Sequence, residues 1–199
     1  IKAFFVVNPS NPTSVAMHPE TLQALHELIA TRRSDLIVLT DDVYGTFVNG
    51  FQSLASIVPR NTILVYSYSK YFGATGWRLG VIGLAKDNIL DAAIAALPRQ
   101  EQDNLRERYH TVFLDPNAAK LIDRMVADSR TVALHHPAGL STPQQVFMVL
   151  LSLACLADRE GVYKERAQDI VIERFHALRR ARHRQARHLS IVCVCAVFR

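Results

Sequence analysis

The sequence predicts an α/β fold: a mainly parallel sheet with flanking helices, followed by a helical region. Three observations carry this. Four short, near-continuous apolar runs, at residues 3–7, 35–40, 62–66 and 79–84, read as buried strands. A helical pattern at 19–33 separates the first two, as a crossover between parallel strands requires. From residue 86 onward the pattern is helical, with no strand alternation.

The elements follow in order. The first run, Ala3 to Val7, is closed by Asn8-Pro9 and Asn11-Pro12, which end a strand in a turn. Residues 19–33 form a helix with Pro19 in its first turn and Glu20 at its positive end. Arg32 and Arg33 sit at the negative end, and Leu22, Leu25, Leu28 and Ile29 form the apolar stripe. Strands at 35–40, 62–66 and 79–84 complete the sheet. Helical segments are expected at 86–97, 99–108, 117–130, from 142 through Leu153, and at 160–178. Ser141 or Thr142 caps the fourth of these, with Pro143 in its first turn. Cys155, in an apolar helical run, reads as a core residue, and Trp77 as a packing residue.

Composition sets outer bounds. The 199 residues are 49% hydrophobic and 21% charged, proportions of a globular chain. The apolar run at 191–198 is far short of the roughly 20 residues of a membrane-spanning helix, so no membrane association is expected. The net charge of +5 is local: residues 179–199 hold six arginines and no acid. Without them, 17 basic residues face 18 acidic ones, a net charge of −1. That leaves little case for nucleic acid as a partner of residues 1–178. The break at residue 179 suggests a tail foreign to the domain. Cys155, Cys193 and Cys195 form neither a disulfide framework nor a metal spacing, and the His135-His136 pair lacks a third ligand, so no metal is expected. Reduced thiols and the lack of a leader pattern fit the cytoplasm. The opening Ile1-Lys2-Ala3 reads as the interior of a longer chain.

Ligands of parallel sheets sit beyond the carboxyl ends of strands. Three such ends carry polar groups: Asn8-Pro9-Ser10-Asn11-Pro12-Thr13-Ser14, Asp41-Asp42-Val43-Tyr44, and Ser67-Tyr68-Ser69-Lys70. The third is followed by Gly73, Gly76, Trp77, Arg78 and Gly80. A lysine just past a buried strand can act as a nucleophile. Taken singly, Asp41 and Asn11 are turn residues, Tyr44 a core aromatic, Arg78 a surface ion pair and Lys70 a solvated amine. Asp42 reads as structural.

Together the three motifs, in this order, resemble those of the class I/II aminotransferases, the fold-type I enzymes dependent on pyridoxal 5′-phosphate. Their Asn-Pro-x-Asn-Pro-Thr-Gly, Asp-x-x-Tyr and Ser-x-Ser-Lys signatures are met here, except that Ser14 stands in the glycine position. The resemblance implies that residues 1–97 are part of a cofactor-binding large domain. Lys70 would be the catalytic lysine that condenses with the cofactor aldehyde and then carries protons. Asp41 would pair with the ring nitrogen, and Tyr44 and Asn11 with the ring's phenolic oxygen. Arg78, Ser67 and Ser69 would hold the phosphate.

Within that family, the long charged helical stretch after the Arg78 strand resembles the aspartate β-decarboxylase branch. It implies conversion of L-aspartate to L-alanine and carbon dioxide with accompanying transamination. On this reading residues 98–178 are a helical extension returning to the large domain, and 179–199 a tail. Full-length members would form homodimers or larger homo-oligomers, with Ser141 and Thr142 near a partner subunit. The chain itself would be an incomplete, inactive piece. The alternatives are an ordinary aminotransferase and, of another class, a non-catalytic module that binds anions or nucleic acid through the arginine tail.

Overall fold

The computed structural model describes residues 2–131 and 140–185, with side chains for all of these except 131 and 182–185. The calls on His135-His136, Cys193 and Cys195, and most of the 179–199 tail, lie outside the described residues. Four strands pair in the order β1 (Ala3–Val7), β2 (Ile37–Asp41), β3 (Thr62–Ser67), β4 (Gly80–Leu84). The first three run parallel. The fourth runs antiparallel to β3, with Ser67 opposite Gly80.

The reversal at β4 follows from its connection. Residues 68–79 contain only a short 3₁₀ turn at Thr75–Trp77. A parallel return usually carries a helix across the sheet face, and these twelve residues have none. Here the ladder simply continues: Tyr68 N donates to Leu79 O at 3.1 Å. Gly80 is required by this close approach, since a Cβ there would lie 3.2 Å from the Tyr66 carbonyl oxygen.

Alternation gives the sheet two unlike faces. Phe4, Val6, Val38 and Thr62 point to one side, where α1 (Pro19–Thr31) and α2 (Leu54–Ile57) cover them. Leu22, Ile29, Leu36, Val38, Leu54 and Val58 form the core there. Burying Leu54 and Val38 fully contributes about 1.5–3 kcal/mol each. Leu25 joins this layer but Leu28 lies outside it and is exposed. The opposite face carries Phe5, Leu39, Asp41, Val65, Ser67 and Ile82, by the strand register. It is more open: Phe5 is 63% and Ile82 45% exposed.

The second half is helical, as its periodicity predicts: α3 (Ile89–Ala95), α4 (Arg99–Tyr109), α5 (Leu121–Thr131), α6 (Thr142–Ala157) and α7 (Val162–Gln185). Asn88 caps α3, its Oδ1 accepting from Asp91 N at 3.0 Å. Arg124 of α5 is buried. It donates to Pro116 O and Ala119 O and lies over the Tyr109 ring, whose hydroxyl donates to Asp128. Ser141 caps α6, with its backbone N donating to Gln144 Oε1. Two expectations change here. Cys155 is exposed, because α6 packs through Phe147, Met148 and Leu151 and none of its residues is fully buried. α7 also runs through the compositional break at residue 179, to Gln185. Arginines are good helix formers, so the arginine block does not end it.

Candidate active site

The carboxyl ends of β1, β2 and β3 lie side by side. Val7 is opposite Asp41, and Asp41 is opposite Val65. Asn8 N donates to Asp41 O, and Asp42 N to Val65 O, each at 3.0 Å. The three motifs predicted to form a site therefore leave the sheet along one edge. Asp41 and Ser67 also share the more open face.

The first loop is held by Asn8, which is almost fully buried; its Oδ1 accepts from Met17 N at 2.9 Å. This pins the turn that presents Asn11. Ser14, where the family motif has glycine, is buried at φ +60°. Left-handed backbone is the reason glycine suits that position. Asn11 Nδ2 lies 3.4 Å from Tyr44 Oη, so the two residues assigned to one ligand oxygen do converge. Asp41 Oδ1 accepts from Val43 N at 3.1 Å, a turn that orients the carboxylate and leaves its second oxygen free. Asp42 is buried and accepts from Thr40 Oγ1. Burial raises the Asp42 carboxyl above the usual range, against the pull of the Ser53 and Thr40 hydroxyls, with the Asp41 charge raising it further. A buried group tied to its own strand and the α2 cap is structural, as the sequence suggests.

The lysine loop is tied internally. Ser67 Oγ donates to Ser69 Oγ at 2.9 Å, and Thr75 Oγ1 donates to Ser69 O at 3.0 Å. Gly73, at φ +62°, lets Gly73 N reach Lys70 O. Lys70 is exposed, and no described residue pairs with its amine. Arg78 is exposed at φ +54° and donates from Nη1 to Thr75 O at 2.9 Å, with its other nitrogens unpaired among the described residues. The arrangement thus offers a free amine, a carboxylate, a phenol with an amide, and a guanidinium with two hydroxyls. These groups are of the types that the resemblance assigns: an acid for a ring nitrogen, neutral donors for a ring oxygen, and a cation with hydroxyls for a phosphate. Among the described residues no cluster of ligands suits a metal ion. A cleft of about 720 Å³ lies beside this edge, between residues 14–19, Val48 and α7, and not on it.

Sequence reasoning missed three contributors. Asn8 was read only as a turn residue. Thr75, which holds Ser69, carries no distinguishing spacing. The contacts of α6 and α7 with the lysine loop bridge 67 to 92 residues and leave no local signal.

A partly parallel sheet with flanking helices, and with a lysine, an acid and an arginine close to its strand ends, defines an α/β chain. The sequence profile of class I and II aminotransferases matches residues 1–122. The chain belongs to the class I and II aminotransferase family. It is 55% identical over 174 residues to the bifunctional aspartate aminotransferase and L-aspartate beta-decarboxylase of a Pseudomonas species, covering 87% of this chain and 33% of that protein. It is 34% identical over 87 residues to an aspartate aminotransferase of Sulfolobus acidocaldarius, covering 42% of this chain and 21% of that protein. The chain spans about a third or less of the length of these relatives. A substituted aspartate aminotransferase of Thermus thermophilus, solved with tryptophan, superposes with a TM-score of 0.61 at 22% identity, over 93% of this chain and 38% of that one. That likeness establishes the shared fold. Among the described residues no helix is long and apolar enough to cross a membrane.

Proposed function

We propose that this chain carries the lysine-bearing part of a pyridoxal phosphate-dependent enzyme that acts on L-aspartate, releasing the β-carboxylate as carbon dioxide and also transaminating. The observation that carries the substrate reading is the extent of similarity. The relative named for both activities matches 174 residues, through the helical half, whereas the Sulfolobus aminotransferase matches 87.

The chemistry such a cofactor supplies when bound is an electrophilic aldehyde and an electron-accepting ring. The residues divide the remaining work. Lys70 Nζ would hold the group through its aldehyde carbon, with loss of water, and, once displaced by the substrate amine, would move a proton to and from the substrate carbon. The Asp41 carboxylate holds a proton on the ring nitrogen. Tyr44 Oη and Asn11 Nδ2 donate to the ring oxygen. Arg78, with Ser67 and Ser69, binds the phosphate. Residues 1–97 form part of the cofactor-binding domain, and 98–178 a helical extension that packs back on it. We further propose that the whole protein is a homodimer or larger homo-oligomer, and that the 199 residues alone do not turn aspartate over. The open sheet face beside Asp41 supports the latter, because it leaves the site in contact with bulk water.

The test is an absorbance titration with pyridoxal phosphate on the chain and on Lys70→Ala. A visible band that needs Lys70 is expected; a band unchanged by the substitution removes Lys70 from this role. Carbon dioxide release from aspartate by the full-length protein separates decarboxylation from transamination alone.

A further inference from the structure

Lys70 is bracketed by two residues anchored from the distant helical half. On its amino side, Tyr68 Oη lies 2.8 Å from Ser152 Oγ in α6. Ser152 spends its own proton on Met148 O, so Tyr68 is the donor. On its carboxyl side, Tyr163 of α7 donates its hydroxyl to Tyr71 O at 3.1 Å. The Tyr163 ring meets Tyr71 edge-on at 5.3 Å and stacks on Phe72. A third tether closes the loop: Gln144 Nε2 donates to Trp77 O at 2.8 Å, and Trp77 stacks on Phe147 at 4.4 Å.

Resting on the proposed function, we infer that helices α6 and α7 together position Lys70, acting through Ser152 and Tyr163. The physical reason is the loop itself. Residues 68–79 have one short 3₁₀ turn, and among the described residues the Lys70 amine has no hydrogen-bond or ion-pair partner. A lysine stem has four rotatable bonds, so its amine is no better placed than its backbone. An amine that must meet an aldehyde repeatedly gains from a fixed starting point. Both tethers end within two residues of Lys70, and the hydrogen bonds of Ser152 and Tyr163 go to its neighbours, not to it. They are positioning residues, not catalytic ones.

The experiment uses the 199-residue chain with Ser152→Ala, Tyr163→Phe and the double variant. Tyr163→Phe keeps both ring contacts and removes only the hydroxyl. Hydrogen exchange at residues 68–75 is read by mass spectrometry against α1 as internal reference. Each single variant is expected to exchange about five-fold faster there, with α1 unchanged, which is the factor for one net hydrogen bond of about 1 kcal/mol. The second readout is borohydride trapping of pyridoxal phosphate, followed by peptide mapping. The share of label on Lys70 relative to exposed Lys86 and Lys120 is expected to fall about five-fold in the double variant. Unchanged exchange overturns the clamp, and faster exchange with an unchanged Lys70 share overturns its positioning role. A parent chain that labels Lys70 no better than Lys86 overturns the cofactor reading instead, and the exchange result alone then decides the clamp.

Discussion

Asn11 and Tyr44, 33 residues apart in sequence, meet through Nδ2 and Oη at 3.4 Å at the ends of neighbouring strands. The separation is long for a hydrogen bond. It suits two donors that share a third acceptor. Tyr44→Phe should therefore weaken retention of pyridoxal phosphate about ten-fold, the loss expected for one hydrogen bond to a charged oxygen. Equilibrium dialysis checks this. Equal retention by the variant would place the phenol outside the binding set.

Ser14 offers a test of backbone geometry alone. It is buried at φ +60°, where a branched side chain is strained and glycine is not. Ser14→Val should destabilise by about 2 kcal/mol. Ser14→Gly should be neutral or stabilise by up to about 1 kcal/mol, strain relief offsetting the added entropy of the unfolded chain. Urea denaturation should lower the midpoint of Ser14→Val and leave that of Ser14→Gly unchanged or raised. A midpoint for Ser14→Val that equals the parent's contradicts the left-handed turn.

Asp42 predicts a pH dependence. Its carboxyl is raised by burial, so the folded state holds the proton more tightly than the unfolded one. Stability from this group is full below the unfolded value near 3.8, and falls as pH rises through the window up to the raised folded value. Asp42→Asn keeps an acceptor for Thr40 and never ionises. Its melting temperature should fall less than the parent's as pH rises from 3.5 toward 7. Parallel curves would mean that Asp42 titrates normally.

Arg124 staples the helical extension. It is 4% exposed and donates to Pro116 O and Ala119 O. Arg124→Met fills a similar volume but frees both carbonyls, and should cost about 2–3 kcal/mol. Arg124→Lys should recover little, because one ammonium cannot reproduce the fork. Chemical denaturation of the three proteins measures this directly.

Much of the sheet was legible because its strands are continuous apolar runs, and 3–7, 62–66 and 79–84 needed no tertiary information, although the expected burial fails at both edges, where no residue of β1 or β4 is buried. The site residues were legible through their motifs, each starting where a strand ends. The direction of β4 was harder to read, since an apolar pentapeptide looks the same run either way; only the length of 68–79 bears on it. The exposure of Cys155 depended on which side of α6 finds a partner, and helix periodicity names an apolar side without saying what meets it. The break at residue 179 was compositional, and backbone propensity carried α7 through it. The tethers of Ser152 and Tyr163 depend on how two distant helices fold back, which no short window contains.

The turnaround into β4 has one more consequence. Amine and guanidinium, Lys70 and Arg78, belong to one short excursion of the chain that leaves the sheet and rejoins it on the adjacent strand. Their separation is thus bounded by the closure of twelve residues, and the tethers from α6 and α7 hold that short loop in place. A one-residue insertion between them should disturb the span between the covalent and anionic ends of the ligand more than a longer insertion after residue 110.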